Sequence, residues 1–146
     1  MMKKLLLLAS FIVLFGCNKN ENNINCNFLF NAGVNLTVNL NLPQFNQLLF
    51  PGNAVRVEGQ GNDGIILYRL NSSTLFAWDG ADPNHVLSAC SALTIESDGV
   101  SATCGCEDGN TYFLATGTFS GDNPPPCTLK PYRVEDIGNN TFFVSN

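Results

Sequence analysis

Residues 64–79 read G-I-I-L-Y-R-L-N-S-S-T-L-F-A-W-D. Ile65–Leu70 is rich in β-branched and aromatic side chains. Asn71, Ser72 and Ser73 then supply turn chemistry, and Thr74–Asp79 resumes the strand composition. A strand, a tight turn and a returning strand place antiparallel β structure at the centre of the chain.

The same grammar continues upstream. Val34, Leu36, Val38, Leu40 and Leu42 alternate with Asn35, Thr37, Asn39 and Asn41, the period-two pattern of a half-buried strand. Pro43 ends it. Phe45–Phe50 is apolar and closed by Pro51-Gly52, which predicts a short helical turn on the sheet. Val55 and Val57 begin a second strand, with Gly59, Gly61 and Gly64 around the following turn.

Downstream, Leu93–Glu96 and Val100–Thr103 flank the turn Ser97-Asp98-Gly99, and Thr111–Ala115 forms another strand. Tyr132–Glu135 and Thr141–Val144 form a last hairpin around Gly138-Asn139. No stretch keeps helical periodicity beyond a turn or two. Tyr68, Phe76, Trp78, Phe113, Phe142 and Phe143 alternate with polar neighbours and read as core. The fold class is all-β, a small antiparallel sandwich with an added N-terminal strand.

The N-terminus has a different character. Lys3 and Lys4 precede the apolar runs Leu5–Leu8 and Phe11–Phe15, a charged region followed by a short hydrophobic one. It ends in Leu14-Phe15-Gly16-Cys17, which resembles a bacterial lipoprotein box with Cys17 as the lipidated residue. Residues 1–16 are then the signal peptide, and Asn18 rather than Asp favours the outer membrane by the same resemblance. Residues 17–31, dominated by Asn, read as a solvated tether. Residues 32–146 form the domain. The partner this implies is the membrane, reached through the lipid anchor, on the periplasmic or surface-exposed side.

Removing Lys3 and Lys4 leaves five basic residues against twelve acidic ones, a formal charge of −7 that argues against nucleic acid as a partner. With 45% hydrophobic and 13% charged residues, the chain has the material for a packed core. No Ser-His-Asp order, Gly-rich phosphate loop or catalytic carboxylate pair stands out, so the chain reads as non-enzymatic.

From Gly64 onward the order of motifs resembles the Rieske iron–sulfur domain family. G-I-I-L-Y-R at 64–69 and T-L-F-A-W-D at 74–79 are followed by a loop ending in Cys90. Then come C-G-C at 104–106, Gly117, Pro124–Pro126 and L-K-P-Y-R-V at 129–134. The resemblance implies two ligand loops, but their ligands are degenerate. Asp82 stands where one Cys is expected, Asn84 near a His position, and Glu107 in place of the second His. Cys104 alone keeps its type. A Rieske [2Fe–2S] cluster takes two Cys and two His, and this chain has one His, His85. It resembles a subgroup of Bacteroidetes lipoproteins with eroded cluster sites.

The resemblance also implies that Cys90 and Cys106 form the disulfide joining the two loops. It brings Cys127, after the Pro-rich loop, toward Cys104 as a second pair, with Cys26 left over. The alternative keeps Cys104 as an orphan ligand. No cofactor is expected. The alternatives are an atypical 2Fe–2S cluster or a single zinc or iron ion on Asp82, His85, Cys104 and Glu107. Three functions follow from these readings: a cluster-free interaction or structural module with an envelope protein as partner, an electron-transfer protein, or a thiol–disulfide protein using Cys90 and Cys106. The third lacks a C-x-x-C pattern.

Overall fold

The computed structural model describes residues 26–146. Residues 1–16, read as a signal peptide, and Cys17, read as the lipidated residue, lie outside the described residues. Ten strands follow in chain order: β1 (Asn35–Asn39), β2 (Ala54–Val57), β3 (Ile65–Arg69), β4 (Leu75–Asp79), β5 (Leu93–Ile95), β6 (Ser101–Cys104), β7 (Thr111–Phe113), β8 (Thr118–Phe119), β9 (Pro131–Gly138) and β10 (Thr141–Ser145). One 3-10 turn covers Asn46–Leu49 and buries Leu48. The fold is all-β.

A six-stranded sheet runs β1-β10-β9-β4-β3-β2, and a four-stranded sheet runs β5-β6-β7-β8. Every pairing is antiparallel. The hairpin of residues 64–79 is β3 and β4, the middle of the larger sheet. β3 is buried at every position, because both faces of this sheet are covered. Ile65 and Leu67 point into one core with Val34, Val38, Leu75, Phe142 and Val144. Ile66 and Tyr68 point into a second core with Trp78, Leu93, Ala102, Tyr112 and Leu129. The first core joins β1 and β10 at one end of the sheet to Val55 of β2 at the other, so the sheet curls around it. The second core lies between the two sheets and sits beneath the loops that follow β4 and β6.

Several side chains fix the seams. The amide of Gln60 pairs with Asn35 in both directions, accepting its N–H at 2.8 Å and donating to its carbonyl at 3.1 Å. Arg56 donates to the carbonyls of Leu93 at 2.7 Å and Asp63 at 2.6 Å, tying the two sheets together. In the last hairpin Asn139 and Asn140 both take positive φ, 54° and 55°, which Asn tolerates better than most residues.

Four details depart from the sequence reading. β1 ends at Asn39, whose side-chain oxygen accepts the N–H of Asn41 and turns the chain, so Leu42 is 43% exposed instead of buried. Phe113, read as core, is 46% exposed, because β7 shows its other face, Tyr112, to the interior. The two-residue β8 was too short to carry a pattern. The stretch read as solvated tether is attached to the domain from Cys26 onward. Cys26 is disulfide-bonded to Cys127, and Asn62 pairs its amide with both backbone groups of Phe30.

Candidate functional site

The site is built by two loops and the Pro-rich segment. The first loop leaves β4 at Asp79, turns at Gly80, and returns through an isolated bridge between Ala81 and Ala92. The second joins β6 to β7. Cys90 and Cys106 are disulfide-bonded and fasten the two loop tips together.

Asp82 is fully buried at the centre. A buried carboxylate needs compensation, and it finds four partners. Its Oδ1 accepts the Tyr112 hydroxyl at 2.7 Å and the Asn84 N–H at 2.9 Å. Its Oδ2 accepts Asn110 Nδ2 at 3.0 Å and lies 2.9 Å from His85 Nδ1. Burial works to raise the Asp82 carboxyl, but hydrogen bonds from Tyr112, Asn84 and Asn110 outweigh it and hold the group below the ordinary carboxylate range. Tyr112 is pushed in the opposite direction by its own burial and by Asp82.

Asn84 does not face a vacant ligand position. Its Nδ2 donates to the Cys127 carbonyl at 2.8 Å and to the Tyr112 hydroxyl at 2.7 Å, and its Oδ1 accepts the Cys127 N–H at 3.0 Å. It therefore welds the Pro-rich segment to the first loop. Beyond that weld, the N-terminal segment and the Pro-rich segment border an open cleft of about 600 Å³ lined by Leu29, Pro83, Pro126, Leu129 and Lys130.

Cys104 is the one cysteine outside a disulfide among the described residues. The expected Cys104–Cys127 pair is not formed, because Cys127 is taken by Cys26. Attachment of the N-terminal segment to the domain carried no sequence pattern that could have shown this. Cys104 is buried, donates to the Cys90 carbonyl at 3.4 Å, and has its Sγ 3.6 Å from His85 Nδ1. Burial pushes its thiol up to about 11. The N–H of Cys106 opposes that shift, and Asp82 and Asp108 reinforce it.

Of the four expected metal candidates, Asp82, His85 and Cys104 come together. Glu107 does not. It is exposed, and its neighbour Asp108 meets the cluster, with Oδ2 3.1 Å from His85 Nε2. His85, Cys104 and Cys106 have ligand-type atoms within 4.8 Å of one another.

Three solved structures are similar in part. One is a complex of reduced oxygenase and oxidised ferredoxin in carbazole 1,9a-dioxygenase, at 22% identity over 65% of this chain and 82% of that one, TM-score 0.44. Another is assigned as the small subunit of an NADH-dependent nitrite reductase from Mycobacterium tuberculosis, at 19% identity over 78% and 96%, TM-score 0.45. A third is assigned as a nitrite reductase NADPH small subunit, at 19% identity over 75% and 97%, TM-score 0.42. No protein-family model and no curated protein matches the chain. Likeness at this level assigns neither function nor partner, and the site stands on its own geometry.

Proposed function

We propose that this chain is a lipoprotein of the outer membrane, anchored through Cys17, whose Rieske-like domain works without an iron–sulfur cluster as a structural or interaction module. The observation that carries the reading is the buried Asp82 hub. A Rieske cluster asks for two thiolates on one iron and two imidazoles on the other. The matching positions here hold a carboxylate, an amide, a thiol and a carboxylate. Asp82 and Asn84 spend their polar atoms on Tyr112, Asn110 and the Cys127 backbone. Glu107 is exposed, and Cys104 is left with a thiol that burial keeps protonated. This donor set does not fit the cluster.

The polar network and the Cys90–Cys106 bridge do the structural job of joining the loops. The joined tip presents Val86, 69% exposed, beside His85, and this is the surface offered to an envelope protein partner. Iron and acid-labile sulfide analysis of protein purified from its own envelope tests the reading. Both should be far below one per chain. Two irons and two sulfides per chain would replace it with electron transfer.

A further inference from the structure

The proposed function uses the Cys90–Cys106 bridge as a staple but gives no role to the Cys104 thiol and the His85 imidazole that stand beside it. The nearest-facing atoms of His85, Cys104 and Cys106 lie within 4.8 Å of one another, and Cys90 Sγ is one S–S bond beyond Cys106. The Cys104 thiol also donates to the Cys90 carbonyl, which places the two residues against each other. From the geometry we infer that Cys90, Cys104, Cys106 and His85 form a zinc site that the Cys90–Cys106 disulfide closes, and that reduction of this disulfide opens. Three thiolates and one imidazole are a recurrent tetrahedral zinc set. Around one zinc, with bonds of about 2.3 Å to sulfur and 2.0–2.1 Å to nitrogen, tetrahedral angles set sulfur and nitrogen roughly 3.5 Å apart and two sulfurs roughly 3.8 Å apart. Cys104 Sγ and His85 Nδ1 already stand 3.6 Å apart.

The outer shell is in place as well. His85 Nδ1 faces Cys104, while Nε2 lies against the Asp108 carboxylate at 3.1 Å. A metal-bound imidazole is commonly oriented by a carboxylate on its other nitrogen. Asp82 can release His85 Nδ1 without being stranded, because Tyr112, Asn84 and Asn110 still serve its oxygens. Cys106 and His85 are half-buried, so an ion reaches the cluster from solvent.

The chemistry balances with a dithiol as reductant. Its two electrons and two protons pass to Cys90 and Cys106, the S–S bond breaks, and the donor closes to its own disulfide. Zn²⁺ then displaces one proton from each of three thiols into solvent with no further redox change. The two loops are held by a covalent staple in the oxidised state and by a metal in the reduced one. The inference is independent of the cluster-free reading, which concerns the oxidised protein and iron.

The test is Co²⁺ titration of the mature chain before and after a phosphine reductant, with Zn²⁺ added as competitor. The reduced chain should bind one Co²⁺ with the visible bands of tetrahedral thiolate coordination, and Zn²⁺ should displace it. The oxidised chain should not bind at the same concentration. Replacing the half-buried His85 by Ala should weaken the reduced site by at least about tenfold, and Asp108→Asn by about 10–100-fold, as for an outer-shell partner. Cys90→Ser keeps the Cys26–Cys127 bridge and frees Cys106, so it should bind Co²⁺ through His85, Cys104 and Cys106 without any reductant. Equal binding by oxidised and reduced wild type would overturn the inference. So would equal binding by reduced wild type and His85→Ala, or no binding by reduced wild type.

Discussion

The Tyr112 hydroxyl donates to Asp82 Oδ1 at 2.7 Å, and both side chains are fully buried. The pair joins the second core to the loop that follows β4. Neither partner has water to fall back on. Tyr112→Phe removes one donor to a charged acceptor, a change worth about 1.5–3 kcal/mol. Asp82→Ala should cost more, above about 3 kcal/mol, since it leaves the Tyr112 hydroxyl and the Asn84 N–H without their acceptor and takes from Asn110 one of its two carboxylate partners. Urea unfolding of the two variants checks the order. A smaller loss for Asp82→Ala would show that the hub is not the centre of the network.

The same hub sets an acid limit. The folded-state value of Asp82 is depressed, so its stabilisation is complete above the unfolded carboxyl value of about 3.9 and is lost as pH falls through the lower folded value. Wild type should lose stability below about pH 4 more steeply than Asp82→Asn, which has no proton to gain there. Thermal unfolding between neutral pH and pH 2 measures this, and parallel curves for the two proteins would contradict it.

The cysteines give a separable pattern. Unreduced peptide mapping should find Cys26 joined to Cys127 and Cys90 joined to Cys106, with Cys104 free. In the chain-entropy picture the 16-residue separation of the loop staple is worth about 3 kcal/mol, and the 101-residue separation of the Cys26–Cys127 bridge about 4.7 kcal/mol. Cys26→Ser should therefore destabilise at least as much as Cys90→Ser. Cys104 is buried with its thiol raised to about 11, so an alkylating reagent near pH 8 should leave it unlabelled until the chain is unfolded. Rapid labelling of the native protein would count against the geometry.

Gly80 is required by space. A Cβ there would stand 2.0 Å from the Asp63 carbonyl oxygen, with Arg56 Nη1 close by. Backbone cannot yield as a flexible side chain does. Gly80→Ala should cost about 1–3 kcal/mol or more and loosen the Arg56 link between the sheets. Wild-type stability in this variant would mean that the turn after β4 is free to shift.

Much of the fold could be read from pattern. The alternation at 34–42, the apolar β3–β4 hairpin and the closing hairpin at 132–144 each carry a period or a turn signal that local chemistry imposes. Leu42 misled because a side-chain turn at Asn39 ended the strand before the pattern did. Three of the four candidates come together, Asp82, His85 and Cys104. Asp108 was not legible, since an exposed acidic pair at 107–108 gives no local sign of which member faces inward. The Cys26–Cys127 bridge was hidden for a similar reason. It spans almost the whole domain, and its N-terminal partner sits in a stretch with no packing pattern.

The lipid address is tested at Cys17. Wild type should partition with the outer membrane, and Cys17→Ser should appear soluble or unprocessed. A processed Cys17→Ser protein that still fractionates with the membrane would refute the anchor.

The central claim is that the joined loops work without an iron–sulfur cluster. Its most direct measurement is the electron paramagnetic resonance spectrum of dithionite-reduced protein, purified without air from its own envelope. The account predicts a colourless sample with no Rieske-type signal, since one His and a hydrogen-bonded Asp82 cannot replace the missing ligands. A stoichiometric Rieske-type signal from the folded domain would contradict it.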